Sequence, residues 1–416
     1  MKKGAILSST IIILEDIIFA KRKANHVLRN YFRNKRFIGA KDKKNINNLV
    51  FRYMKNFFSL KHICKSKKIK FSIRNSLLIY FFNEYPKNNL EDIYKGKYSL
   101  QPSKGDDKIF TVASSIKEKI IPSFPEWIKE NIRDPKKNCS LLLKSLLIES
   151  KLDVRIDRNL YSRNNIINEL NSLQIKARKS NFSPIGITLE KRIPEHLLKK
   201  IKKDRFEIQD EGSQIMTLLA KAKPGKKILD YCAGRGTKSL TLYNEILKRE
   251  GLYVYEKEKS RLNFLKKRID EVKAKNIKVL EDLAPYKNFF DTIVLDVPCS
   301  GTGVWRRKPE NLIHLDKMLL DKYKKIQKNI LKESLDYCKI GGHIVYITCS
   351  ILEEENEDQV KKFVLENTNI DIIDLKDKLM RKIANNNPEK TKWFTLMPNI
   401  LMSDGYFICI MKKNNI

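Results

Sequence analysis

Apolar residues recur at helical spacing along the first fifth of the chain, as in Val27, Leu28, Tyr31 and Phe32, and again in Leu77, Leu78, Phe81 and Phe82. This pattern predicts an all-helical region from Ile6 to about Glu84. Tyr85 to Asp107 carries Pro86, Gly96, Pro102 and Gly105 among lysines and reads as a connector. Helical signals return between Ser123 and Glu130, where Ser123 is placed to cap a helix beginning near Pro125. Beyond Ser140 the pattern changes. Leu152–Ile156 reads as a strand, Asn164–Leu173 as a helix and Gly186–Leu189 as a second strand, which together make a small α/β unit. From Lys227 the alternation is regular: Ile228–Tyr231, Leu252–Tyr255, Ile277–Leu280, Thr292–Leu295 and Ile344–Ile347 predict short buried strands, most of them separated by helices. That is the pattern of a doubly wound parallel sheet. The expected division is therefore 1–137 all-helical, 138–220 small α/β, and 221–416 doubly wound α/β, with no internal repeat.

Charge adds a partner to this picture. Lys and Arg number 84 against 49 Asp and Glu, a formal charge of +35, which favours a polyanion over a small neutral ligand. Residues 1–100 hold 23 basic and 6 acidic residues, a net of +17, so the excess is concentrated in the helical region. The same lysines could instead form solvated faces. Clustering favours RNA or DNA. Seven cysteines without a C-x-x-C pair fit neither a disulfide framework nor a structural zinc site, and a reducing cytoplasm is expected. His26, His62, His196, His314 and His343 show no ligand spacing, so no metal is expected. The apolar stretch Ala5–Ala20 is interrupted by Glu15 and Asp16 and is shorter than the ~20 residues of a spanning helix. It reads as a buried first helix, and no membrane association is expected.

Candidate chemistry gathers where the predicted strands end. The run from Asp230 through Tyr231, Cys232, Ala233, Gly234, Arg235, Gly236, Thr237 and Lys238 follows an apolar strand and opens a helix. Glycines there let a ligand approach the backbone, and a helix N-terminus favours polar or anionic groups. An ordinary tight turn would carry the same residues. Two carboxylates extend the pattern: Glu256 after the second strand, placed for ribose hydroxyls, and Asp282 after the third, placed for adenine. Either also suits a capping acid. Asp296-Val-Pro-Cys299-Ser-Gly-Thr-Gly303 follows the next strand, and Gly342 to Ser350 ends in Thr348-Cys349-Ser350. A lone cysteine at a strand end is usually a small core residue, but two of them beside an Asp at a ligand edge suggest chemistry.

These motifs closely resemble those of the RsmB/NOL/NOP/Sun family of RNA cytosine-5 methyltransferases. The likeness extends to Gln209–Gln214, Ser183–Leu189 and Asp404–Phe407, and so to nearly the whole chain. It implies a Rossmann-like class I methyltransferase domain, preceded by a small α/β RNA-binding unit and an all-α NusB-like domain. The implied cofactor is S-adenosyl-L-methionine, bound by Cys232, Ala233, Gly234, Arg235, Gly236, Thr237, Lys238, Glu256, Asp282 and Asp296. The implied catalytic residues are Cys349 as nucleophile at cytosine C6, Cys299 in adduct breakdown and Asp296 on the base. Small-subunit ribosomal RNA is the expected substrate and a monomer the expected state; transfer RNA, or a weakened enzyme kept as an RNA-binding assembly protein, are the alternatives. Three positions depart from the family's cofactor loop: Arg235 where Pro is common, Thr237 for a glycine and Ser239 for a threonine. Glu256 stands where Asp is common.

Overall fold

The computed structural model describes residues 1–132, 135–191, 193, 201, 205–375, 378–383, 392–401 and 403–415. His196 lies outside the described residues. The chain forms two compact units, one comprising Met1–Glu130, Asp134–Ile148 and Trp305–Leu315, the other Asn131–Arg133, Glu149–Val304 and Asp316–Ile416.

In the first unit, helices span Lys3–Ile18, Ala24–Asn34, Ala40–Lys55, Phe57–Ser66 and Ile73–Glu84. Lys3–Ile18 is apolar on most faces and is accordingly enclosed, with Leu7, Ile13, Leu14 and Ile17 fully buried. The connector expected between Tyr85 and Asp107 contains a short helix, Leu90–Tyr94, nucleated by a capping box in which Asn89 and Asp92 satisfy each other's backbone N–H groups. Its far end is pinned by Asp106, which accepts from Arg74 through both oxygens and from Tyr94 at 2.6 Å. Ser123 accepts a hydrogen bond from Ser59 at 2.9 Å, ahead of the helix Glu126–Glu130. Trp305–Leu315 belongs to this unit by its packing and its hydrogen bonds. Trp305 lies 5.0 Å from Phe124, Glu310 accepts from the Ala24 N–H at 3.2 Å, and His314 Nε2 donates to the Ile17 carbonyl at 2.8 Å. Periodicity gave no hint of this, because the segment follows a glycine-rich motif rather than a helical pattern.

The second unit holds two sheets. A four-stranded antiparallel sheet, ordered β2-β3-β1-β4, is made from β1 Leu152–Ile156, β2 Ala177–Lys179, β3 Gly186–Leu189 and β4 Phe206–Ile208. The larger sheet comprises β5 Ile228–Asp230, β6 Leu252–Tyr255, β7 Ile277–Leu280, β8 Phe290–Asp296, β9 Cys338–Thr348, β10 Ile370–Ile372, β11 Trp393–Leu396 and β12 Tyr406–Lys413. Its order is β10-β12-β9-β8-β5-β6-β7, with β11 on β12; β7, β6, β5, β8 and β9 are mutually parallel, whereas β12 pairs antiparallel with β9. All five expected parallel strands lie within one residue of their predicted bounds or contain them. β9 runs six residues earlier than its apolar centre because Gly341 and Gly342 interrupt the pattern without ending the ladder. Fully buried Val294, Val345, Ile347 and Ile408 pack one face of this sheet, and Leu295, Tyr346 and Phe407 the other. Among the described residues no helix is long and apolar enough to cross a membrane.

Candidate active site

Strand order directs ligands to one place. Moving outward from β5, the chain goes to β6 and β7 on one side and to β8 and β9 on the other, so the crevice beyond the carboxyl ends of β5 and β8 is the switch point of the sheet. The Asp230–Lys238 turn, Asp296–Gly303 and Thr348–Ser350 follow the carboxyl ends of β5, β8 and β9 at that edge.

The turn after β5 approaches without side chains. Gly234 and Gly236 have φ of +58° and +78°, and a Cβ at Gly236 would fall 2.5 Å from Leu265 Cδ1. Gly236 caps the helix Thr237–Glu245. Glu256 is buried and accepts from the Gly234 N–H and the Glu258 N–H, each at 2.9 Å, so it fastens the turn. A carboxylate retains further lone pairs after two such bonds, which leaves it able to meet a ligand hydroxyl. Asp282 is exposed and accepts from the Ala284 N–H at 3.0 Å, a local turn bond ahead of the short helix Ala284–Tyr286, whose cap residue is Leu283. Cys232 and Ala233 line the start of the turn; burial holds the Cys232 thiol well above its ordinary value.

The departures in this loop have structural partners. The Arg235 guanidinium sits 4.7 Å from the Phe264 ring centroid, and Arg268 donates to the Arg235 carbonyl at 2.8 Å and to Thr237 Oγ1 at 3.1 Å. Ser239 donates at 2.6 Å to Asp230, whose other oxygen is buried without a partner. Burial pushes the Asp230 carboxyl from its ordinary 3.8 to about 7. A carboxyl raised on folding contributes stability that is complete below the unfolded value near 3.8 and lost as pH climbs through about 7. Asp230→Asn keeps an acceptor for Ser239 and cannot ionise. Relative to the parent, it should gain on the order of 2 kcal/mol more stability at pH 8 than at pH 5 in denaturant unfolding. Parallel stability curves for the two proteins across that window would contradict the assignment.

On the other side of the crevice, Asp296 ends β8 opposite Ile347 of β9, so Cys299 and Cys349 leave adjacent parallel strands three and two residues further on. Their Sγ atoms lie 3.1 Å apart, both half-buried. The hydrogen bond to Cys349, reinforced by burial, holds the Cys299 thiol well above its ordinary 9.0. Lys238 reaches across from the helix after β5, with Nζ 2.6 Å from Asp296 Oδ2 and 5.7 Å from the Tyr406 ring centroid. Burial alone would lower the Lys238 ammonium, but the neighbouring Asp296 charge and hydrogen bond, with Cys349 and Asp230 adding, carry it upward. Sequence reading placed Lys238 among cofactor ligands; its partner lies 58 residues away and only strand adjacency brings the two together. Glu355 and Asn356, which follow the second cysteine motif in sequence, were visible there without a role, and Gln327 was missed; all three are buried beneath the cysteines, brought there by strand and helix packing. Among the described residues no group of His, Cys, Asp and Glu is arranged to hold a metal ion.

Residues 216–412 match the family described as 16S rRNA methyltransferase RsmB/F. That match spans just under half of the chain. Similar proteins include the ribosomal RNA small subunit methyltransferase B of Proteus mirabilis, 30% identical over 58% of this chain and 58% of that one. The probable enzyme of that name from Bacillus subtilis is 26% identical over 70% of this chain and 66% of that one. The corresponding Coxiella burnetii protein is 28% identical, and the match covers 51% of each chain. The chain thus spans between about half and two thirds of the length of these relatives. Among solved structures, PH0851 superposes with a TM-score of 0.74 at 16% identity, covering 98% of this chain and 99% of that one. NSun6 from Pyrococcus horikoshii, crystallised with SFG, gives 0.57 at 16% identity, over 70% of this chain and 99% of that one. Both show the Rossmann-like methyltransferase fold.

Proposed function

We propose that the protein is an S-adenosylmethionine-dependent RNA methyltransferase that methylates C5 of cytosine, with small-subunit ribosomal RNA as substrate. The observation that carries this reading is the pair of thiols 3.1 Å apart beside the Lys238–Asp296 ion pair, at the switch point of the sheet. The names of the RsmB relatives support the choice of RNA.

The residues present fit the cofactor. The turn at Gly234 and Gly236 offers backbone without side chains, Glu256 has lone pairs to spare, and Asp230 carries an unpartnered buried oxygen. Bound there, S-adenosylmethionine would supply an electrophilic methyl group. Cytosine C5 is too poor a nucleophile to accept it unaided, and an enzyme can raise its electron density by adding a nucleophile at C6. The likeness of Thr348-Cys349-Ser350 to the family's later motif assigns that addition to Cys349. As the Cys349 sulfur bonds to C6, the C5–C6 π pair shifts to C5, and the second oxygen of Asp296 can accept from the exocyclic amino group of the base. After methylation the C5 proton passes to solvent water, the C5–H pair re-forms the C5–C6 π bond and the S–C6 pair leaves with the Cys349 sulfur. Cys299, hydrogen-bonded to that sulfur, eases its departure as thiolate. A paired base cannot enter such a site, so the target is single-stranded or flipped out.

Bisulfite sequencing of total RNA from a strain lacking the gene tests the activity. Loss of one 5-methylcytosine from small-subunit ribosomal RNA is expected; loss from transfer RNA would change the substrate, and no loss would remove the reading. Calorimetry should show binding of S-adenosylmethionine or its demethylated product.

The helical unit is proposed to supply the electrostatic part of RNA binding. Lys65, Lys67, Lys68 and Lys70 are exposed on and just after the helix Phe57–Ser66. Changing all four to Gln should flatten the slope of log K against log salt, by up to about 0.7 for each phosphate of a single strand that is no longer neutralised. An unchanged slope would mark these lysines as a solvated face.

A further inference from the structure

Beneath the two cysteines lies one buried dipeptide, Glu355-Asn356, with both side chains fully enclosed. Glu355 Oε1 accepts from the Ser300 N–H at 2.8 Å and from Gln327 Nε2 at 2.9 Å, while its other oxygen accepts from the Ser300 hydroxyl. Gln327, on the helix Lys317–Tyr337, also donates to the Pro298 carbonyl at 3.0 Å. The residues on either side of Cys299 are thus tied to one anchor. Asn356 does the same for the other loop: its Oδ1 accepts from Thr348 Oγ1 at 2.6 Å, and its Nδ2 donates to the Ser350 carbonyl at 3.0 Å. Cys349 sits between those two residues. A single peptide bond therefore couples the supports of both thiols, and the Tyr346 hydroxyl donates to the Glu355 carbonyl at 2.6 Å to seat it.

We propose that Glu355 is a positioning residue that, clamped to Asn356, sets Cys299 against Cys349 for adduct release. The inference rests on the cysteine mechanism above, but the spacing it describes can be measured without RNA or cofactor. Truncating Glu355 leaves the Ser300 N–H buried and unpaired and frees the Cys299 loop, while Asn356 still holds Cys349. Glutamine should serve nearly as well as glutamate. Its oxygen can accept from Ser300 N–H and Gln327, and its amide can donate to the Ser300 hydroxyl. Release should therefore fail in Glu355→Ala and persist in Glu355→Gln, a distinction that a role for the charge would erase.

The full-length protein treated with diamide reads the geometry directly. Two S–H bonds break and one S–S bond forms between Cys299 and Cys349, with two electrons and two protons passing to the reagent. Mass spectrometry follows the disulfide against single-thiol labelling by maleimide. Glu355→Gln should oxidise within about twofold of the parent rate, and Glu355→Ala roughly tenfold or more slowly, since small displacements of reacting atoms cost large factors in rate. Gln327→Leu, a milder change that removes the tie to Pro298, should slow oxidation in the same direction and keeps the test open if Glu355→Ala does not fold. With labelled RNA and S-adenosylmethionine, Glu355→Ala should accumulate protein-bound methylated RNA, and Glu355→Gln should not. Equal oxidation rates in folded parent and Ala variant, or a Gln variant as slow as Ala, would overturn the positioning role. If the oxidation pattern holds but the parent transfers no methyl group, the clamp stands and the cytosine mechanism is what fails.

Discussion

Cys349→Ala should abolish methyl transfer, by about 10⁴-fold or more, and should form no covalent complex with RNA, because the proposed addition to C6 is made by its sulfur. Cys299→Ala should behave differently. Attack and methylation remain possible, but the Cys349 sulfur loses the hydrogen bond that eases its departure, so enzyme bound to methylated RNA should build up. The two sulfurs lie 3.1 Å apart, close enough for either to hydrogen-bond the other, so the two variants read which one attacks and which one assists release. Alanine is preferred to serine at both positions, since a hydroxyl can still hydrogen-bond. Denaturing gels with labelled RNA give the answer. A cofactor-dependent band for Cys299→Ala alone supports the assignment; a band for Cys349→Ala alone exchanges the roles; no band for either ends the covalent mechanism.

Much of this was legible in the chain, and what was not has a common cause. The strands of the parallel core could be read because each is a short apolar run that closes with a polar residue at the ligand edge, as β5 does at Asp230 and β8 at Asp296. β12 could have been read the same way: its first residues lie in the Asp404–Phe407 likeness, yet it pairs antiparallel with β9, a placement that periodicity does not encode. The capping box at Asn89 and Asp92 was local and readable but was obscured by the prolines and glycines around it. In the site, residues within one motif were found, and residues whose meaning depends on another strand were not. Lys238 was visible as part of a loop, but not as the partner of Asp296. Glu355 stood in a run of acids that resembles a solvated helix start, yet it is fully buried because Ser300 and Gln327 consume its oxygens. Thr237 and Arg235 read as defects in a glycine loop; Arg268 and Phe264 show how the fold accommodates both.

Lys238→Met should lower single-turnover methylation by about 10²–10³-fold, the loss typical when one preorganised charge is removed from a site where charge develops. Two roles for this lysine make opposite predictions. If it served the cofactor, the change would appear in S-adenosylmethionine affinity and leave the thiol alone. The geometry favours the other role: Nζ is 2.6 Å from Asp296, and the ammonium is raised by the charges of Asp296, Cys349 and Asp230, so its positive charge faces the groups that are negative during catalysis. Removing that charge leaves Asp296 without its ion-pair partner and withdraws a cation that interacts electrostatically with Cys349. Methionine fills a similar volume, so packing against Tyr406 is retained while the charge is lost. Cys349 should then alkylate more slowly with iodoacetamide, because the thiolate is the reactive form. Calorimetric affinity for S-adenosylmethionine should change by less than about threefold, well under the rate loss expected for a transition-state interaction. Lys238→Arg, which keeps the charge, should recover part of the rate. A methionine variant with unaltered thiol reactivity and weakened cofactor binding would return Lys238 to the cofactor and remove it from the chemistry.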